Sequence, residues 1–521
     1  MGHTDLEPAQ LPQLIAAIAS FLREIRQQLP DTQVRVILDT RSDASGAISQ
    51  AARALDIPVE ALIAIPDQML MDTLVRRSSL LLALWDGKSS SAPGDTADHV
   101  FRFLGVGGEK DEMPNRIEVS TLAHDLDVTG RPVYWVPARR IVAEASASGH
   151  QPYYLLSAGD NVLDVQQSMP TSLRRRLADL NEYNVDFERF TAHAGLACSA
   201  SLLQQQSATL AISDAPRLEN IDRQFIKADS LAGYMQRRSD RLFNTFGIAA
   251  FTMGIAYLVY DNITESMILL LLYTLILMVS LLVYYFFQTK RWFSKYLSYR
   301  SLAETLRVRF YLALSGLDRR MQTRELIALT GIHRFPGFGW IGFALDSIEP
   351  TAIEAQLPDG NYALRARYVD QAWIEDQYRY FARKVAIMER HRSWTGRLKN
   401  GVFIAGLIVL SVMFMFSGAL HHVDVRTGLP LKNVLTFCSG SLAVLLGVWE
   451  LRQNKMAVQE LLWQYRNQLT QFQRARLQLR RTTSRARRDD ILEELAENSL
   501  MEIYLWAIHR YHREHAPPIA R

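Results

Sequence analysis

The sequence predicts an α/β domain at the amino terminus, followed by an all-α membrane region with four transmembrane helices in two hairpins and long cytoplasmic helices. Three observations lead to this fold class. Four long apolar segments lie in the second half of the chain, basic residues flank them, and short apolar runs alternate with amphipathic segments in the first third. The 521 residues leave room for about three domains.

The four apolar segments form two hairpins. Residues 243–260 and 267–287 make the first hairpin, and residues 401–420 and 433–449 make the second. Each is roughly 17 to 21 residues long, the length with which an α-helix crosses a bilayer, and none contains Asp, Glu, Lys or Arg. The second segment is apolar on every face, whereas a core helix of a soluble protein keeps a polar stripe. We therefore expect a multi-pass protein with a lipid bilayer as its partner.

Basic residues beside the hairpins predict the topology. Arg238 precedes the first hairpin and Lys290 follows it, while its turn carries Asp261 and Glu265. The positive-inside rule then places both open ends, and the amino and carboxyl termini, in the cytoplasm. In the turn of the second hairpin bases outweigh acids, so the first hairpin carries this assignment. The net charge of +4 is explained by bases facing lipid headgroups, and we do not expect nucleic acid as a partner.

The surroundings of the two hairpins indicate a weak internal repeat. In each half an Arg-rich helix precedes the hairpin and a long amphipathic helix follows it, over residues 291–314 and residues 450–481. Duplication and coincidence both remain open. Residues 474–488 contain a run of arginines that would suit RNA or lipid. We favour a solvated helix face that pairs with acidic neighbours or headgroups.

Short apolar runs in the first third predict a parallel sheet. The expected strands are residues 34–38, 61–65, 79–85 and 132–136, and the expected helices are residues 11–29, residues 47–55 and a segment from about residue 95. Near-continuous apolar strands that alternate with helices are typical of parallel α/β sheets. Ligands bind such sheets beyond the carboxyl ends of the strands.

Two loops at the predicted strand ends are rich in small and polar residues. One contains Ser42, Asp43, Ser45 and Gly46, and the other contains Gly94, Asp95 and Thr96. Small residues let a ligand approach the backbone, and helix amino termini offer free N–H groups to phosphate. The same residue types are also ordinary helix N-caps. Spacing leaves both interpretations open, because neither loop is a Walker A motif or a full G-x-G-x-x-G.

Four segments resemble motifs of SLOG-type domains, which are Rossmann-like relatives of the LOG and DprA proteins. They are Gly2-His-Thr-Asp-Leu-Glu-Pro8, Ser42-Asp-Ala-Ser-Gly46, Leu84-Trp-Asp-Gly-Lys88 and Gly94-Asp-Thr-Ala-Asp98. The Trp-Asp-Gly and Gly-x-Thr-Ala-Asp motifs are the more specific part. The resemblance implies a Rossmann-like domain over residues 1–140 and a pocket for a nucleotide or an ADP-ribose-type signal. The implied ligand-binding residues are Gly2, His3, Ser42, Asp43, Ser45, Gly46, Trp85, Asp86, Gly87, Gly94, Asp95, Thr96 and Asp98.

One part of the LOG motif differs in this chain. LOG enzymes carry Pro-Gly-Gly-x-Gly-Thr followed by acids, where this chain has Pro-Gly-Asp-Thr-Ala-Asp ending at Asp98. Asp95 places a negative charge beside any phosphate, and His99 stands where a second acid is expected. We therefore expect ligand binding without catalysis, and no metal site.

The hairpins, together with residues 299–307 and 495–498, resemble SLATT membrane domains. The resemblance implies two such units, residues 201–330 and 331–521, after a connector over residues 141–200. Together the two resemblances imply a nucleotide-sensing effector of the bacterial inner membrane. It would act as a homo-oligomeric pore or ion channel, or disrupt the membrane, in an antiviral, abortive-infection system. A membrane-anchored nucleotide hydrolase and a non-catalytic inner-membrane scaffold are the alternatives.

Overall fold

The computed structural model is mostly helical with a small sheet region. The residues that it describes are 8–39, 44–62, 74, 77–87, 96–104, 131–138, 151–157, 163–192, 199–203, 215–288, 290–318, 323–346, 348, 362–420, 430–456 and 458–514. The chain divides into two compact units. The first unit comprises Met1–Leu231 and Ser301–Arg365, and the second unit comprises Ala232–Arg300 and Ala366–Arg521.

The first 192 residues contain both strands and helices. In chain order they are α1 (Leu11–Gln28), β1 (Val36–Asp39), α2 (Ala44–Arg53), β2 (Val59–Leu62), β3 (Leu81–Trp85), α3 (Thr96–Leu104), β4 (Val133–Pro137), β5 (Tyr153–Ser157), β6 (Leu163–Gln166) and α4 (Thr171–Ala192). The predicted strands and helices of this part each have a counterpart within a few residues. The segment predicted as a connector over residues 141–200 contains β5, β6 and α4.

The strands form two sheets whose pairing corrects the expectation of one parallel sheet. Strands β1 and β2 pair in parallel, with Val36 opposite Val59, and β3 pairs in parallel with β4. The order of the larger sheet is β3-β4-β5-β6, and both β4–β5 and β5–β6 are antiparallel. The connection from β5 to β6 is too short for a parallel crossover, which needs a dozen or more residues. The described strands therefore form a mixed sheet and a separate parallel pair.

The cores on the two faces of β3 explain its near-continuous apolar sequence. Leu84 belongs to a cluster with α1, α2 and α4, whereas Ala83 and Trp85 belong to a second cluster with α3. Alternate side chains of a strand point to opposite faces, so a strand covered on both faces needs apolar residues at every position. All three residues are fully buried.

The rest of the described chain is helical. The helices are α5 (Ala215–Asn262), α6 (Met267–Gln288), α7 (Trp292–Ser315), α8 (Thr323–Thr330), α9 (Ile341–Asp346), α10 (Tyr362–Val369), α11 (Asp376–Met415), α12 (Ser417–Leu420), α13 (Leu431–Met456), α14 (Val458–Arg481) and α15 (Arg485–Glu514). A π-helical turn, Asp370–Glu375, joins α10 to α11. The predicted helix over residues 450–481 is therefore built from the end of α13 and all of α14, and residue 457 lies outside the described residues.

A buried ion-pair cluster lies in the helical part of the first unit. Arg309 Nε donates to Asp318 Oδ1 at 2.6 Å, and both side chains are almost fully buried. Arg217, at the start of α5, also pairs with Asp318. Buried charges are tolerated where they are paired, so this cluster joins α5 to the end of α7 and the residues that follow it. The turn at residues 336–339 buries Phe338.

The second unit contains the four apolar segments and the long helices beside them. Helix α11 packs against α13 and α14, and α14 packs against α15. The acids of the π-helical turn pair with the arginine run: Arg476 Nε lies 2.6 Å from Glu375, and Arg488 pairs with Asp370. This confirms, for these two arginines, the interpretation that the run pairs with acidic neighbours. The remaining arginines of the run are exposed: Arg474, Arg480, Arg481, Arg485 and Arg487.

Candidate functional site

The turn after β3 holds three of the predicted ligand residues. The Trp85 side chain is fully buried and packs against Phe101 of α3, with ring centroids 5.9 Å apart and nearly perpendicular. Its carbonyl oxygen accepts hydrogen bonds from Trp135 Nε1 at 2.8 Å and from the Ala138 amide at 3.0 Å. The ring is therefore part of the core, and the carbonyl helps to hold β3 against β4.

Gly87 shapes the backbone of this turn. Its φ is +80°, a conformation that glycine adopts without strain. A Cβ at this position would lie 2.9 Å from Cζ2 of Trp135, closer than real carbon atoms approach. The glycine of the Trp-Asp-Gly motif thus has a structural explanation, while half-buried Asp86 stands between it and the strand.

The middle of α3 packs against the end of β3 through the Trp85–Phe101 contact. Thr96 is the first residue of α3 and is buried, and Asp98 lies in the first helical turn. The helix amino terminus favours anions, but the Asp98 carboxylate would oppose a phosphate placed there. A carboxylate at this position is better suited to accept hydrogen bonds from hydroxyl groups, such as those of a ribose.

The loop after β1 is only partly described. Ser45 is half-buried and Gly46 is exposed, and both lie in the first turn of α2. A Cβ at Gly46 would meet nothing within 4 Å, so the space beside it is open. The other predicted ligand residues lie outside the described residues: Gly2, His3, Ser42, Asp43, Gly94 and Asp95.

The apolar segments form the second candidate site. Among the residues that the structure describes, four helices are long and apolar enough to cross a membrane: α5, α6, the helix from α10 to α11, and α13. Their most apolar windows are 0 to 6% buried. A soluble protein rarely exposes so large a continuous apolar surface, so this surface is covered by lipid or by other protein copies.

Two glycines bring α5 and α13 close together. A Cβ at Gly254 of α5 would lie 2.6 Å from Val444 Cγ1, and a Cβ at Gly440 of α13 would lie 2.7 Å from Leu258 Cδ2. Small residues at such crossings let helix backbones approach closely, which is how apolar helices associate in lipid. The first span therefore packs against the fourth, and the fourth also packs against the third.

Polar side chains within the spans mostly bond to their own helix. Thr252 donates to the Ile248 carbonyl at 2.9 Å, and Ser439 donates to the Thr436 carbonyl at 3.3 Å. Such bonds satisfy a hydroxyl in an apolar environment. Ser441 differs from them, because its buried hydroxyl oxygen has no hydrogen-bond partner among the described residues.

A buried carboxyl lies between α14 and α15, outside the apolar segments. Glu502 Oε2 accepts a hydrogen bond from Asn467 Nδ2 at 2.7 Å, and Gln471 Nε2 lies 3.5 Å away. Burial raises the pKa of Glu502 to about 7, against the opposing effect of its amide donors. This carboxyl therefore changes its charge near neutral pH.

Sequence reasoning missed Glu502, Gly254 and Gly440. The glycine positions carried a usable signal, because glycine inside an apolar segment is typical of close helix packing. Glu502 carried none, since its burial depends on how α14 meets α15. No group of three or more His, Cys, Asp or Glu side chains that could hold a metal occurs among the described residues.

Comparison with protein-family models, with curated proteins and with solved structures finds no significant match to this chain. The resemblances to SLOG-type and SLATT domains therefore rest on the quoted motifs alone.

Proposed function

We propose that this chain is a membrane effector in which a cytoplasmic α/β region senses a nucleotide-type ligand and controls a four-span membrane region. The observation that carries the proposal is the continuity of α5. This helix runs from Ala215 to Asn262 without a break. Its first turns bury Leu218, Ile221 and Phe225 in a protein core, and its last turns form an apolar segment.

A continuous helix connects the first unit, which contains the candidate ligand turns, directly to the first apolar segment. A shift at the amino-terminal end of α5 would move the first span as well, and through Gly254 it would act on α13. Ligand can control the membrane region only by binding its two states with different affinity. The link supports a sensor–effector arrangement more than a simple anchor, for which a flexible connection would suffice.

The proposed output is a pore or membrane disruption by a homo-oligomer. One chain supplies four spans with few polar residues, and symmetric assembly is the usual route to a larger path. The exposed apolar faces of α6 and α11 give other copies a surface to contact. The flanking charges support an orientation with both termini in the cytoplasm. The motif resemblance supports a location in the bacterial inner membrane and a role in antiviral defence.

The test uses the full chain reconstituted in liposomes. Ion flux is measured with and without candidate nucleotides, including ADP-ribose, and thermal shift reports binding in parallel. We expect flux that depends on one nucleotide, together with a thermal shift by the same compound. Absence of flux and of thermal shift with every nucleotide would contradict the proposal.

A pair of variants tests the ligand loop. Gly46→Glu adds bulk and negative charge in open space at the start of α2. Because like charges repel across a binding site, it should weaken nucleotide binding about tenfold, which corresponds to about 1.4 kcal/mol. Gln50→Glu adds the same charge on the exposed side of the same helix and should leave binding unchanged. Equal affinities in both variants would remove Gly46 from the site.

A membrane-anchored nucleotide hydrolase is the second candidate, favoured by the Asp98 carboxylate in the first turn of α3. A positioned carboxylate can act as a general base. This alternative predicts that the purified chain hydrolyses a nucleotide and that Asp98→Asn abolishes this activity. Asp490→Asn, at an exposed position of α15, is the control. Nucleotide-dependent ion flux without hydrolysis of the nucleotide would favour the sensor function over the hydrolase.

A further inference from the structure

A groove between α11 and α13 combines a positive charge at one end with apolar residues at the other. Its volume is about 420 Å³. Its lining consists of Trp394, Arg397, Leu398, Gly401, Val402 and Ala405 of α11 and Leu442 of α13. It is called the α11–α13 groove below.

The groove crosses the boundary where the third apolar segment begins. Trp394 and Arg397 precede residue 401, the predicted start of the span, and Ala405 lies inside the span. From Trp394 to Ala405 the helix rises about 16 Å, enough to reach from lipid headgroups into the acyl chains. Trp and Arg are enriched at headgroup depth, and apolar side chains lie deeper. The order of residues in the groove therefore follows the order of chemical groups in a phospholipid.

The charge of Arg397 has no acidic partner in the groove. None of the lining residues is acidic, and the hydrogen bond recorded for the exposed Arg397 side chain goes from its Nε to the Ser393 carbonyl at 3.3 Å. The neighbouring cation, Lys399, already pairs with Glu450 of α13. A guanidinium group offers several donors in a fixed plane, which suits a phosphate. Arg397 thus provides the anion-binding part of the groove.

The apolar end of the groove is open rather than filled by protein. A Cβ at Gly401 would meet nothing within 4 Å, in contrast to Gly254, whose surroundings are filled by Val444. Trp394 at the other end is 56% exposed. Because Gly401 has no side chain, the space beside it along α11 is open, and an acyl chain can occupy it.

We propose that the α11–α13 groove binds an anionic phospholipid. The lipid phosphate pairs with Arg397, the Trp394 indole lies on the headgroup side of that pair, and an acyl chain runs past Gly401 towards Ala405. A second copy of the chain fits less well, because a symmetric contact through this groove would bring one Arg397 towards another. The inference rests on the proposal that the helices cross a membrane, and it is independent of nucleotide sensing and of pore formation.

Native mass spectrometry of the full chain in detergent provides the test. Phosphatidylglycerol and phosphatidylcholine of equal chain length are titrated, and the bound fractions give apparent affinities. We expect tighter binding of phosphatidylglycerol, reduced about fivefold by Arg397→Gln, because one base near the membrane surface contributes about that much to binding an anionic lipid. Gly401→Leu should reduce the binding of both lipids because the leucine side chain fills the space that the acyl chain would occupy.

Two matched variants serve as controls. Arg392→Gln removes an exposed base from the same helix outside the groove, and Gly406→Leu fills a position that also has no atom within 4 Å of a Cβ but does not line the groove. Both should bind phosphatidylglycerol as the parent chain does. All four variants should remain in the membrane fraction of cells, whereas loss of the parent chain from that fraction would contradict the membrane proposal itself.

Three results would overturn the lipid site. One is unchanged phosphatidylglycerol affinity in both Arg397→Gln and Gly401→Leu. Another is displacement of the lipid by glycerol phosphate at equal concentration, which would assign Arg397 to a free phosphate. The third is a smaller oligomer in both groove variants with lipid affinity intact, which would assign the groove to a second copy of the chain.

Discussion

The sheet region and the apolar helices differ in how far they bury the same apolar residue types. Leu84 in β3 is fully buried by its own chain, whereas Leu275 in α6 is 58% exposed. In the sheet region, water is excluded by neighbouring helices and strands of the same unit. In the apolar helices, lipid or another copy must exclude it. An apolar side chain therefore contributes to the stability of this fold only where the chain itself covers it.

The largest expected effect is the loss of a side chain from the sheet core. Leu84→Ala should lower the free energy of local opening around β3 by about 2–5 kcal/mol, because a buried leucine leaves a cavity. Leu275→Ala should change the stability of the described fold by less than about 0.5 kcal/mol. Hydrogen exchange of the β3 and α3 amides in the detergent-purified chain measures the first effect, and the midpoint of thermal unfolding measures the second.

An equal loss of stability in Leu84→Ala and Leu275→Ala would contradict this difference between the two regions. A large cost for Leu275→Ala would mean that a protein surface covers α6 in the purified state. Because lipid and detergent both cover apolar side chains, such a cost would have to come from another copy, and it would fall on dilution.

A second prediction concerns the contact between α5 and α13. Gly254→Leu forces a side chain into Val444, so the four-span region should lose about 1–3 kcal/mol through overpacking. Gly406→Leu makes the same chemical change in open space and should have little effect. The midpoint of thermal unfolding in one detergent compares them. A similar midpoint for the two variants would mean that α5 and α13 do not pack closely there.

The third prediction follows from the raised pKa of Glu502. The folded carboxyl titrates at about 7, above its ordinary value, so the folded state holds a proton that the unfolded state releases. The contribution of this group to the free energy of unfolding is therefore complete below about pH 4.5. It decreases as the pH rises towards 7 and is absent at higher pH. Glu502→Gln keeps the neutral shape and should raise stability at pH 8 by about 1–3 kcal/mol.

The pH dependence provides the check on Glu502. The gain in Glu502→Gln should be large at pH 8 and small at pH 5, as measured by the unfolding midpoint at both values. Asp490→Asn, at an exposed position of α15, should show no such difference. A gain that is independent of pH would mean that the carboxyl is not held in its neutral form.

The smallest effect is expected at an exposed ion pair. Arg466 pairs with Glu389 between α14 and α11, with both side chains about half exposed. Arg466→Ala should cost no more than about 1 kcal/mol, and the cost should shrink in high salt. Unfolding midpoints at low and high salt measure it. A cost above about 2 kcal/mol would show that the pair is shielded from solvent.

The helical part of this fold was predictable because its signals are local. The apolar segments, α1 and α7 all follow from hydrophobic length and spacing within a single element. The parallel pairs β1–β2 and β3–β4 also followed from apolar runs that alternate with helices. The antiparallel addition of β5 and β6 did not, because the pairing direction depends on how the chain returns and not on the composition of either strand.

The candidate site was less predictable than the fold. Trp85 stood out in the sequence because it precedes Asp86-Gly87 after a strand, a pattern that suits a ligand loop and a buried turn equally. Its contact with Phe101 and the closeness of Trp135 to Gly87 are long-range facts that spacing does not encode. The carboxylate of Glu502 and the α11–α13 groove likewise arise where two helices meet.

The π-helical turn Asp370–Glu375 has a geometric consequence for the third span. An α-helix turns by about 100° per residue, so the wider turn rotates everything beyond it relative to a regular helix that began at Tyr362. This rotation determines the direction in which Arg397 and Gly401 point from the axis of α11. It therefore also determines whether they face Leu442. The pairs Asp370–Arg488 and Glu375–Arg476 hold both ends of the turn, and thereby set the angular register of a span that begins some 25 residues further along.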